Sequence, residues 1–136
     1  MQLEGKVWKD GKFWLAEIPA LDYLTQGRTK REALRMAADI VKTGVDQRGF
    51  KVAVSIVSPD TFTLRTNDPA ALIAHLLRRI RQKNGLTVRE ASRRLGSSSP
   101  NAFGAYEQGH TKPTLDKLEQ LVRAISPHHR LTLKFA

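Results

Sequence analysis

The sequence predicts an α+β chain in two parts: a small sheet-and-helix domain over residues 1–66, then a helical domain over residues 67–136 that ends in a candidate strand. Three observations carry this reading. Two aromatic and β-branched runs, residues 3–8 and 13–18, flank Lys9-Asp10-Gly11-Lys12, a strong hairpin signal. Two Thr-x-x-Glu boxes, Thr29 to Glu32 and Thr87 to Glu90, mark helix starts, because the hydroxyl and the carboxylate satisfy free backbone amides there. After Asn67-Asp68-Pro69 the apolar residues recur at helical spacing, and alternation returns only in the last residues.

In chain order, Pro19 ends the second strand, Tyr23–Gln26 suits a third short strand, and Gly27 suits a turn. The helix opened by Thr29 carries Ala33, Leu34, Ala37, Ile40 and Val41 on one face, and Gly44 is expected to stop it. Residues 50–57 and 61–66 alternate as strands around the turn Ser58-Pro59-Asp60. Trp8 and Trp14 are expected to pack on the hairpin.

Asp68 suits an N-cap and Pro69 the first helical position, where a missing amide costs nothing. Leu72, Ile73, Leu76, Leu77 and Ile80 form the apolar stripe of the helix that follows, with Arg78, Arg79, Arg81 and Lys83 expected opposite. Gly85 suits its left-handed cap. The next helix is short, with Val88, Ala91 and Leu95 inward and Gly96 at its end. Ser99 and Pro100 then read as the N-cap and first residue of another, in which Phe103 and Tyr106 share the buried face. Thr114 caps a last helix with Leu115, Leu118, Leu121, Val122 and Ile125 inward. Two short helices joined by a tight turn and flanked by longer ones is helix-turn-helix organisation. Residues 131–135 alternate, and they are expected to pair with residues 61–66 within the chain or across a dimer.

The net charge of +10 is uneven: residues 68–136 hold 12 Lys and Arg against 5 Asp and Glu. That asymmetry favours a polyanion as partner of the second half, or an acidic protein, over a basic surface kept for solubility. Absence of cysteine excludes disulfides, thiol nucleophiles and thiolate zinc sites. No signal peptide or membrane span is visible, so a cytoplasmic location is expected, without membrane contact. There is no Gly-rich phosphate loop, no HExxH and no GxSxG. His75, His110 and the adjacent His128 and His129 lack ligand spacing. No enzyme activity, catalytic residue, metal or cofactor is expected.

If the second short helix enters a major groove, Asn101, Ala102 and Ala105 are its candidates for base edges. Asn can pair bidentately with adenine, and Ala can touch a thymine methyl. Asn101 could instead cap its own helix. Gly104 would permit close approach to the backbone. Thr87, Arg89, Ser97, Ser98 and Ser99 surround helix N-termini, which suit phosphate oxygens, and Arg93, Arg94 and Lys112 add charge. A solvated face and a plain flexible turn are the alternatives for the arginines and serines.

Gly85-Leu86-Thr87, Ala91, Leu95-Gly96, Tyr106-Glu107-Gln108-Gly109 and Pro113-Thr114-Leu115 resemble the Cro and phage-repressor helix-turn-helix domains, over roughly residues 70–126. The stretch between Leu95-Gly96 and Tyr106 is one residue longer than is usual there. In the first half, Phe13 to Pro19, Thr25-Gln26-Gly27, Thr29 and Glu32-Ala33-Leu34 resemble the N-terminal domain of HicB-type antitoxins. That resemblance implies a partial ribonuclease-H-like α+β fold without catalytic acids. It also implies an antitoxin that blocks a HicA-type mRNA-cleaving toxin and represses its own operon by binding operator DNA as a homodimer or higher oligomer. The segment Ala20-Leu21-Asp22-Tyr23 lacks the Pro-Gly-Cys usual in that family, and no toxin-facing residue is assigned. The alternatives are a transcriptional regulator whose first domain binds a ligand or mediates oligomerisation without a toxin, and a protein-binding module that does not bind DNA.

Overall fold

The hairpin forms where aromatic and branched residues flank Gly11, which takes the positive φ (61°) that a two-residue loop needs and a side chain resists. It begins a computed structural model that describes residues 1–135. The chain folds as two compact units, Met1–Leu72 and a second from Ile73 onward, and the division falls within a helix.

In the first unit β1 (Gln2–Asp10), β2 (Phe13–Ile18) and β3 (Tyr23–Gly27) form an antiparallel meander. After α1 (Lys30–Val45), β4 (Val52–Ser58) and β5 (Thr61–Thr66) form a second hairpin, and β5 joins β1 antiparallel. The five strands lie in the order β3-β2-β1-β5-β4. Thr29 caps α1 by accepting from the Glu32 amide (3.1 Å), while the Glu32 carboxylate accepts from the Arg28 amide. Gly44 does not stop α1. The helix runs through Val45, and Asp46 takes the left-handed cap, its N–H bonded to the Lys42 carbonyl.

Register sorts the sheet into two faces. Gly5 pairs with Phe62, Val7 with Ala16, and Leu64 with both Leu3 and Val54 on one face. Ala33, Leu34, Ala37, Ala38 and Val41 of α1 are buried on that side with Val7, Ala16, Ile18, Phe62 and Leu64. The opposite face carries Trp8 paired with Leu15, Lys6 with Glu17, and Glu4 with Thr63. Trp14 lies on the helix side, with the Lys30 ammonium 5.8 Å from its ring centre.

The expected pairing of residues 131–135 with 61–66 does not occur. β5 is an interior strand, bonded on both sides by β1 and β4, so it offers no free edge to any chain. Residues 131–135 form no strand.

The second unit takes up α2 (Pro69–Lys83), which begins in the first, and adds α3 (Val88–Arg94), α4 (Ala102–Glu107) and α5 (Leu115–Ile125). Asp68 accepts from the Ala71 amide at 3.0 Å, as its capping role requires. Leu77, Leu86, Ala91, Phe103, Leu118, Leu121, Val122 and Ile125 form the core of this unit. Leu115, expected inward, is exposed at the first position of α5, ahead of the buried stripe. No helix among the described residues is long and apolar enough to cross a membrane, and no group of three or more His, Asp or Glu among them is placed to hold a metal.

Gly5 is fixed by a close approach: a Cβ there would lie 2.2 Å from Cζ of fully buried Phe62. Gly5→Ala is expected to lower stability by about 1–3 kcal/mol through overpacking, read as a fall in the urea midpoint.

His75 on α2 is buried, and desolvation together with the charges of Arg78 and Arg79 lowers its pKa from 6.5 to about 4. Arg78 Nη2 stands 3.4 Å from Nδ1, which suits a neutral ring accepting there. The unfolded chain therefore takes up this proton at higher pH than the folded one. The stability tied to the neutral ring is complete above about pH 6.5 and is lost as pH falls toward 4. Wild-type protein should lose stability relative to His75→Gln over that interval, as urea midpoints at stepped pH would show.

Candidate nucleic-acid interface

At seven and six residues, α3 and α4 are too short to persist alone, since isolated helices under about 12 residues are marginal in water. Their geometry is imposed by tertiary contacts at both ends of α4.

At the N-terminal end the key residue is Ser92, fully buried on α3. Its hydroxyl donates to the Val88 carbonyl (2.8 Å) and accepts from the Phe103 amide (3.0 Å). Phe103 sits in the first turn of α4, where amides lack intrahelical partners. A side chain of α3 thus caps α4 from outside. The expected start of α4 is corrected accordingly. Ser99 and Pro100 are not its cap and first residue. They belong to a preceding turn closed by the Ala102 amide on the Ser99 carbonyl (3.3 Å). Asn101 holds the cap position but makes no side-chain cap bond. With Ser92 capping the first turn, the Asn101 amide is left exposed.

Gly104 is buried, and a Cβ there would meet Val88 Cγ1 at 3.3 Å. Its small size serves the close contact of α3 with α4, rather than the approach to an outside backbone expected from sequence.

At the C-terminal end, Glu107 points into the protein. The Arg81 guanidinium forks onto it, Nε to Oε1 in a short contact and Nη2 to Oε2 at 3.2 Å. Its Nη1 donates to the Leu86 carbonyl at 2.6 Å. The side chains are only 12% and 6% exposed. Arg81, expected on the solvent face of α2, is therefore the clamp that joins α2, the α2–α3 turn and the end of α4.

Ser97 to Asn101 form the turn that enters α4, with Ser98, Ser99 and Asn101 exposed and the Ser99 amide donating to Ser97 Oγ (3.2 Å). Ala102 and Ala105 are half-buried. Thr87 and Arg89 are exposed at the start of α3, on either side of Val88, and the Thr87 hydroxyl accepts from the Glu90 amide. The Val88–Gly104 and Ser92–Phe103 contacts bring that part of α3 against α4. Arg93 and Arg94 are exposed at the end of α3. Lys112 is exposed in the loop before α5.

Sequence reasoning missed Ser92 and the Arg81–Glu107 clamp, though both left a signal. Ser92 falls four residues after Val88, and Glu107 four after Phe103, so each is a polar residue on a buried helix face. Such groups need a partner.

A short helix set against another across a tight turn, with its N-terminal end open to solvent, defines a helix-turn-helix domain of the DNA-binding type. The family model described as a helix-turn-helix domain matches residues 72–126, which span α3, α4, α5 and most of α2. The search of curated proteins returns no match to the chain.

Glu107→Gln or Arg81→Met should each lower stability by about 3–5 kcal/mol, because each strands a buried charged or polar partner. The double change Arg81→Met with Glu107→Leu should recover most of that loss. Thermal unfolding of the three variants checks both expectations.

Proposed function

We propose that this chain is a repressor built on the HicB plan: its second unit reads operator DNA through α4, and its first unit captures a HicA-type mRNA-cleaving toxin, linking the toxin to control of the operon. One observation carries the DNA half of the reading. Asn101 stands exposed at the N-terminal end of α4, its amide not spent on capping, where a recognition helix meets base edges. Arg89, Arg93, Arg94 and Lys112 are exposed in the same unit and suit phosphates. Because α4 carries no Arg, contact with guanine by a bidentate guanidinium is not available from that helix. A dimer bound to two half-sites suits such a helix.

The resemblance of residues 13–34 to HicB domains supports the toxin half. So does the open face of the sheet, where Trp8, Phe13 and Leu24 are exposed among Glu4, Lys6, Asp10, Glu17 and Arg65. An apolar patch with a mixed charged rim suits a protein partner.

The test is binding to the DNA upstream of the gene, titrated against salt beside unrelated DNA. Asn101→Ala should weaken binding to the upstream DNA by about 5- to 150-fold, the worth of one bidentate base contact. Binding to unrelated DNA and the salt slope should not change. Equal, salt-labile affinity of the wild-type chain for both DNAs would refute the operator reading. Failure of the chain to relieve growth arrest by a toxin encoded beside it would leave a regulator without a toxin.

A further inference from the structure

The sheet has two free edges, β3 and β4. Natural edge strands are usually blunted by charge, proline or a bulge, because their unpaired N–H and C=O groups accept another strand. β4 reads Val52-Ala53-Val54-Ser55-Ile56-Val57-Ser58, without one charge or proline, and a bulge interrupts it only after Ile56. Val52 to Ile56 therefore form five residues of regular, unprotected edge. Ile56, on the α1 side of the sheet, is 59% exposed.

A second unpaired β-former lies elsewhere in the chain. Residues 131–135, Leu-Thr-Leu-Lys-Phe, alternate apolar and polar without belonging to a strand, and leave Leu133 66% and Phe135 96% exposed.

We propose that residues 131–135 of one copy add to the β4 edge of a second copy as an antiparallel sixth strand, reciprocally, so that the exchange builds the dimer. Lengths and patterns agree. With Leu131 opposite Ile56, Leu133 opposite Val54 and Phe135 opposite Val52, six apolar side chains share the α1 side of the sheet. Thr132 and Lys134 then stand on the open side with Ser55 and Ala53. A slip by one residue would put Lys134 on the apolar side, so the register is specified.

Charge disfavours the parallel direction. Antiparallel pairing runs the root of the tail, Arg130, toward the turn of Asp60, where Lys30 on the Pro59 carbonyl and Lys6 on the Thr61 hydroxyl already offset the one carboxylate. Parallel pairing would bring Arg130 beside Lys51. The β3 edge fits less well. Its α1-side positions include Thr25, whose hydroxyl meets the Ala16 and Ala33 carbonyls, and Gly27, closed in by Ala33. Strand addition supplies backbone hydrogen bonds for affinity and side-chain alternation for specificity, and reciprocity gives a closed two-fold dimer. The inference stands apart from the operator reading, since it concerns assembly alone.

The experiment is sedimentation of the full chain beside a chain ending at Arg130, with hydrogen exchange of the β4 amides. The full chain should be a dimer. The shortened chain and the full-length double variant Leu133→Asp, Phe135→Asp should dissociate about 30-fold more readily with unchanged helical circular dichroism, and their β4 amides should exchange faster. Ile56→Lys on the receiving edge should weaken the dimer likewise. A mixture of the shortened chain with Ile56→Lys should associate more tightly than the shortened chain alone, though less tightly than wild type, because one of the two strand additions is kept. A monomeric full chain overturns the proposal, as does a dimer whose dissociation constant is unchanged by loss of the tail. Protection of β4 by the tail in a monomer overturns it too, by placing the tail on its own chain.

Discussion

The helix-turn-helix unit depends on one constraint: a six-residue helix that water would dissolve must be held at both ends. Arg81 and Glu107 hold one end. Because both side chains are nearly buried, the pair's strength lies less in its net contribution than in what its loss would leave behind, an ion without water or partner. The third arm of the fork, on the Leu86 carbonyl, ties the same guanidinium to the turn where α3 begins. One side chain therefore fixes three pieces of backbone. Ser92 holds the other end by capping α4 from α3. The cap from Ser92 leaves Asn101 without a capping bond at the exposed start of α4.

The two units meet different requirements. The second concentrates cationic side chains and stabilises short helices through a compact core, which suits a polyanion that demands a fixed helix. The first covers one face of its sheet with α1, and on the other Trp8, Phe13 and Leu24 are exposed among charged residues of both signs.

Much of the fold was legible in the sequence, because its local signals are self-contained. Both hairpins, the capping threonines 29, 87 and 114, Asp68 ahead of Pro69 and the left-handed Gly85 each depend on neighbours a few residues away. The α+β order and the helix-turn-helix region followed from them. What the sequence hid was long-range. The start of α4 was misread because Ser99-Pro100 satisfies the local rule for a helix start, whereas the cap that forms comes from Ser92, eleven residues before Phe103. Arg81 looked like one more solvated cation because its partner is 26 residues away. The pairing of residues 131–135 with residues 61–66 was misjudged because alternation does not say which edges remain free, and only the order of the sheet shows β5 to be enclosed. Whether Asn101 would cap its own helix was likewise hidden, because that depends on the cap from Ser92.

The most direct test of the account is amide mapping by nuclear magnetic resonance while the full chain is titrated with duplex DNA from upstream of its gene. The largest shift changes should fall on Ser97 to Ala105 and on the amides around Thr87 and Arg89. Amides of the sheet should move little. Changes spread evenly over exposed lysines and arginines of both units, with none concentrated at the start of α4, would contradict it.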